Sequence, residues 1–281
     1  MLDKGQDQKV EGGAVAIQAA GNVTIGASIT EMRQTFELLM QANFPVLRDE
    51  ARATAQAAAN EFIAKMERKI IDSAEKVDVA RFSDPDVQST MNDAVQASAR
   101  RGAAANQDIL CELVAQRVAR DGNSFKDIVL SEAVQVAPKL TPSLISTVTL
   151  IHFVRSVKIT TESPLQALEF LAMLVLPLCL ECDGVSEAQK AHIQYAGVGS
   201  FLSLLSSDPY ELLQRQYPEM GLPDSAAMKT EIQKLPNMAQ LCELYGRNQL
   251  GTITLTSVGQ AIALANLVGR IPMLDFNIWI R

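Results

Sequence analysis

The chain has 281 residues, a formal net charge of −7 and 48% hydrophobic residues, with aromatics at only 5%. That length allows one large domain or two ordinary ones, and the acidic balance excludes a surface built to neutralise many phosphates, because non-specific nucleic-acid affinity comes from clustered Lys and Arg. Four cysteines lie scattered through helical pattern and "MLDKGQDQKVEGG" offers no apolar export segment, so reduced thiols and a cytoplasmic protein are expected.

The segment "AVAIQAAGNVTIGAS", Ala14 to Ser28, alternates apolar and small residues with period two around the turn dipeptide Gly21-Asn22. A two-residue loop would split the apolar side chains between two faces. A three-residue loop, Ala20-Gly21-Asn22, pairs Ile17 with Ile25 and gathers Val15, Ile17, Val23 and Ile25 on one side. An isolated two-stranded hairpin is marginal in water, so this face needs a partner, and residues 1–27 are expected to be an assembly element.

Ser28 and Glu31 form a capping-box pattern that starts a helix near Ile29. Pro45 is expected to kink or break it, with a second long helix over 46–77. "FSDPD" restarts the chain with an acidic cap and Pro85 at the first helical position. Helices are then expected at 85–100, 104–120, 124–137, 142–158, 163–181 and 187–205, punctuated by Gly and Pro. Within them "FLAMLVLPLCL", Phe170 to Leu180, is shorter than the ~20 residues of a spanning helix and is bracketed by Glu169 and Glu181, so it reads as a buried core helix. Asp208-Pro209 repeats the acidic-Pro start, and denser punctuation marks a module boundary near residue 220. Helices at 224–234 and 236–247 lead to a β-prone run at 252–255 and a helix capped by Ser257 with Gln260 three residues on. "LDFNIWI" alternates Leu274, Phe276, Ile278 and Ile280, the pattern of a strand or an extended docking tail.

Chemistry-bearing patterns are sparse. Of the two histidines, His152 lies in apolar helical pattern as a core residue, and His192 follows Cys179 and Cys182. That C-x-x-C plus His resembles a zinc spacing, but no tight turn separates the cysteines and the fourth ligand would have to be Asp183 or distant, so no metal is expected. Nucleophile-elbow, phosphate-loop, dinucleotide and H-E-x-x-H patterns do not occur, "GVGS" at 197–200 reads as a small-residue helix contact, and Arg100-Arg101 reads as a solvated helix end. Neither a cofactor nor an enzyme activity is expected.

The segments "DPDVQSTMNDAVQASARRGAAANQDILCELVAQRV" and "FKDIVLSEAVQVAPKLTPSLISTVTLI" resemble the middle helical region of bacterial abortive-infection alpha-type proteins. "TITLTSVGQAIALAN" is similar to the L-T-x-x-G ending that such proteins share with winged-helix domains, here Leu255, Thr256, Gly259 and Ile262. The resemblance implies a bacterial phage-defence protein that acts by association, and it carries no catalytic residue. The expected architecture is mainly α: a β-hairpin leader over 1–27, a multi-helix bundle over 28–220 and a degenerate winged-helix-like module over 221–281. Self-association or a protein partner is the leading functional expectation, with no membrane span and no nucleic acid. The alternatives are a DNA-binding regulator using residues 224–270 and a metal-dependent hydrolase centred on Cys179, Cys182 and His192.

Overall fold

The computed structural model describes residues 29–121, 123–202 and 206–280, with side chains from residue 48 onwards except that of Val79. The hairpin face of Val15, Ile17, Val23 and Ile25, together with the Ser28 cap, lies outside the described residues. The described chain is 75% helix with a small antiparallel two-stranded sheet. It divides into a unit of residues 1–52 and a unit of residues 53–281, and the boundary expected near 220 falls inside the second.

The first helix, α1 (Ile29–Asp72), continues through Pro45 rather than breaking there. Proline removes one amide donor, and the Leu-, Met-, Gln- and Ala-rich residues on both sides favour helix enough to carry that loss. It stops at Asp72, short of the expected 77, and the chain then turns so that Val77 bridges Ala119. Asp84 caps α2 (Pro85–Arg101) with Pro85 at its first position, as the acidic-Pro pattern requires. Then come α3 (Gln107–Arg117), α4 (Ser124–Val136), α5 (Pro142–Ser156), α6 (Pro164–Cys179) and α7 (Glu187–Tyr195). The helix expected over 187–205 ends early because Gly197 takes φ +76° and the chain extends into β1 (Gly199–Phe201). After α8 (Pro209–Gln216), α9 (Ser225–Ile232) and α10 (Pro236–Arg247) follow β2 (Ile253–Leu255), α11 (Ser257–Val268) and α12 (Phe276–Trp279).

Two helices form the centre. Every residue of α5 from Leu144 to Val154 is buried, and α11 buries all but two of the residues from Val258 to Leu267. Helices apolar all round belong inside a protein, and α11 packs against α5, α4 and α3. The buried threonines of α5 are satisfied: Thr147 and Thr149 each donate to the carbonyl one turn back, and Asn266 of α11 donates to Thr149 Oγ1 at 2.9 Å.

The L-T-x-x-G motif acquires a packing role. β2 pairs with β1 through Gly199↔Leu255, and Thr256, one residue before the expected Ser257, caps α11 by accepting from Gly259 N. The Thr256 hydroxyl donates to the Gly197 carbonyl at 2.7 Å. A Cβ on Gly259 would lie 2.0 Å from the Val198 carbonyl oxygen, so only glycine lets the two backbones meet. The strand thus joins α11 to residues 197–201, across the expected module boundary.

Polar clamps hold the periphery. Arg117, 3% exposed, reaches Asp86 at 2.6 Å and Asp127 at 3.5 Å, and Arg81 also pairs with Asp127, tying α2, α3 and α4 together. At the C-terminus the alternating pattern yields a short helix instead of a strand: Asp275 caps it and Phe276 and Ile280, four apart, are both buried. Fully buried Lys126 bonds Asp121 at 3.2 Å and Asn277 at 3.1 Å, and Trp279 Nε1 donates to the Ser156 carbonyl at 3.1 Å.

Candidate functional site

The most apolar helix, α6, is only half covered. Leu168, Leu171, Ala172, Val175 and Cys179 face inward, where α6 packs on α10 and α5. Gln166, Phe170, Met173, Pro177 and Leu180 are exposed, with Phe170 at 56%, Met173 at 49% and Leu180 at 50%. Their spacing of four, three, four and three is the seam of a helix that pairs with another helix. The expectation of a buried core helix therefore holds for one face and fails for the other.

The acidic side chain beside this seam is turned away from it. Glu169, next to Phe170, turns inward, and its carboxylate accepts from Asn237 N and Met238 N, both at 3.1 Å, and from Asn237 Nδ2 at 2.6 Å. It thereby satisfies the free amides at the start of α10, whose own N-cap, Leu235, has no side-chain acceptor. Pro177, inside the helix, contributes no amide, so the Met173 carbonyl on the same face lacks its helical donor. Pro164–Cys182 has mean hydropathy 1.8 and the length of a membrane-crossing helix, with 33% of it buried in the fold.

The seam runs into a groove at its C-terminal end. Pro177, Leu178 and Glu181 line a cleft of about 360 Å³ together with Lys65, Asp108 and Ile145. Adjoining clefts of about 460 and 800 Å³ continue along α1 past Lys69, Glu112 and Gly269. Two of the cations here are engaged in ion pairs: Lys65 with Asp108 at 3.1 Å and Glu61 at 3.4 Å, and Lys69 with buried Glu112.

The residues that the sequence offered for catalysis are not brought together. Among the described residues no group of three or more His, Cys, Asp or Glu side chains could hold a metal ion. Cys179 and Cys182 are buried, and burial pushes the Cys179 thiol well up and the Cys182 thiol to about 11, far from the thiolate that a ligand or nucleophile needs. His192 is half-buried, with Nε2 3.2 Å from the Lys139 carbonyl and its ring beside Tyr195. His152 is fully buried with neither ring nitrogen hydrogen-bonded among the described residues, and burial lowers its pKa from 6.5 to about 4. Its neighbour is the Trp279 ring, edge-on at 5.6 Å.

Three of the four cations of the segment considered for DNA are engaged within the protein. Lys229 lies over Tyr210 at 5.6 Å, Lys234 pairs with Glu231 at 2.6 Å and Arg247 with Asp183 at 3.3 Å. The α6 face was missed because a run apolar on every side hides which side is covered. The four-three spacing of Phe170, Met173, Pro177 and Leu180 was the available signal.

These features define a helical protein whose most conspicuous surface is an unpaired helix seam. The family model that matches the chain covers residues 26–228 and 221–280, more than half of its length, and the chain belongs to that family, whose function is uncharacterised. No curated protein and no solved structure matches it.

Proposed function

We propose that the protein is a non-enzymatic association protein of bacterial phage defence, in which the outward face of α6 docks a protein segment and residues 1–27 assemble copies of the chain. The observation that carries this reading is the exposure of Phe170, Met173 and Leu180 at helix-pairing spacing along an apolar helix whose opposite face is buried. Contiguous apolar patches of this kind on a folded protein mark interaction sites. The resemblance to abortive-infection proteins supplies the biological setting, and the apolar hairpin pattern supplies the assembly element.

The test is phage plating on cells that carry the full chain or its Phe170→Ser/Met173→Ser variant. Exposed substitutions change stability by only about ±0.5 kcal/mol, so circular dichroism should be unchanged. The wild type is expected to restrict plaque formation and the variant to lose that restriction. Equal protection by both, or none by the wild type, overturns the reading. For the leader, light scattering should show a lower mass for full-length Ile17→Asn/Ile25→Asn than for the wild type, and a monomeric wild type refutes its role.

A further inference from the structure

We infer that the partner of the α6 face is a single amphipathic helix with a basic residue at each end of its apolar stripe. The inference rests on the docking role proposed for α6 and adds the chemistry of the occupant. From Gln166 to Leu180 the seam is about 21 Å long at 1.5 Å per residue, a length matched by a helix of about four turns. Both ends of the seam are acidic. Glu162 precedes it and Glu181 follows it, both exposed and neither in an ion pair among the described residues. The nearby cations Lys65 and Arg247 are neutralised by Asp108 and Asp183. What remains is an apolar strip between two unmatched carboxylates.

This charge arrangement selects among occupants. A second copy laid along the strip would bring its own Glu162 and Glu181 into the same region, acid against acid in either orientation. An anionic membrane surface would meet the same repulsion, since such surfaces attract basic segments. A helix with Lys or Arg at the ends of a leucine-type stripe gains apolar burial along the strip and opposite charge at both ends, which is the helix-in-groove mode of recognition.

The experiment uses the full chain and two fluorescein-labelled synthetic helices of about 18 residues with the same leucine seam, one flanked by Lys and one by Glu, followed by anisotropy. The Lys peptide is expected to bind about fivefold to tenfold more tightly than the Glu peptide at low salt, with the preference shrinking as salt rises. Phe170→Ser/Met173→Ser should weaken both by about tenfold or more, and Glu162→Lys/Glu181→Lys should reverse the preference. Equal binding of the two peptides, still lost in Phe170→Ser/Met173→Ser, overturns the charge inference and leaves the docking role standing. Lys-peptide binding that ignores Phe170 and Met173 is general attraction to an acidic protein and overturns the inference. So does a dimer by light scattering, or flotation with phosphatidylglycerol vesicles, that is abolished by Phe170→Ser.

Discussion

Replacing His152 by leucine is expected to stabilise the protein, although it deletes a fully buried polar side chain from the central helix. Neither ring nitrogen is hydrogen-bonded among the described residues, and an unsatisfied buried polar group costs about 1–3 kcal/mol. Against this stands the edge-on contact with Trp279 at 5.6 Å, worth about 0.5–1.5 kcal/mol. The net gain at pH 7.5 is therefore about 1 kcal/mol. The pH dependence sharpens the test. Burial holds the folded-state pKa near 4 against an ordinary 6.5, so the unfolded chain takes up a proton first as pH falls. The folded state keeps its full margin above pH 6.5 and loses it progressively down to about pH 4. At about 1.4 kcal/mol per pH unit the loss is about 3 kcal/mol. Carboxylates titrate in the same window in both proteins, so the difference between wild type and His152→Leu isolates the histidine. The assay is urea unfolding followed by the fluorescence of Trp279, the one tryptophan of the chain, at several pH values between 7.5 and about 4. A variant less stable than the wild type at pH 7.5, or two stability profiles that run parallel in pH, would refute the reasoning.

Three further substitutions probe the packing. Gly259→Ala places a Cβ 2.0 Å from the Val198 carbonyl, and relieving that clash should cost about 1–3 kcal/mol, read as a lowered urea midpoint. Arg117→Met removes the pairs to Asp86 and Asp127 and leaves Asp127 to Arg81 alone, and it is expected to cost about 1–3 kcal/mol by the same assay, with an unchanged midpoint counting against a clamp role. Glu169→Ala removes three hydrogen bonds at the start of α10 and should cost about 1–2 kcal/mol, with faster amide exchange at Asn237 and Met238. Exchange at those two amides that matches the wild type would refute the cap.

Much of the architecture was legible because its signals are local. Pro85 and Pro209 behind their aspartates, and the β-prone run before Gly259, announce helix starts and a strand within a few residues of chain. Where reading failed, a distant contact had overruled the local pattern. Phe276 and Ile280 are buried while Ile278 between them is exposed, the pattern of a helical turn rather than a strand, and α12 is fastened by Lys126 and Ser156 from elsewhere in the chain. Gly197 and Gly199, which read as a helix contact, serve a strand because β2 arrives from more than fifty residues away.

The amino-acid sequence by itself determined that this is a mainly helical protein with an acidic balance and buried cysteines. Periodicity, caps and composition act over one or two turns and need no partner to be read. Only the tertiary structure decided which side of α6 is covered, that Glu169 serves α10 rather than its own exposed face, and that His152 is buried without a hydrogen-bond partner among the described residues. Burial is a property of neighbours, and neighbours distant in the chain are chosen by packing. A helix apolar on every side can show the spacing of a seam, but only its neighbours decide whether that seam meets water.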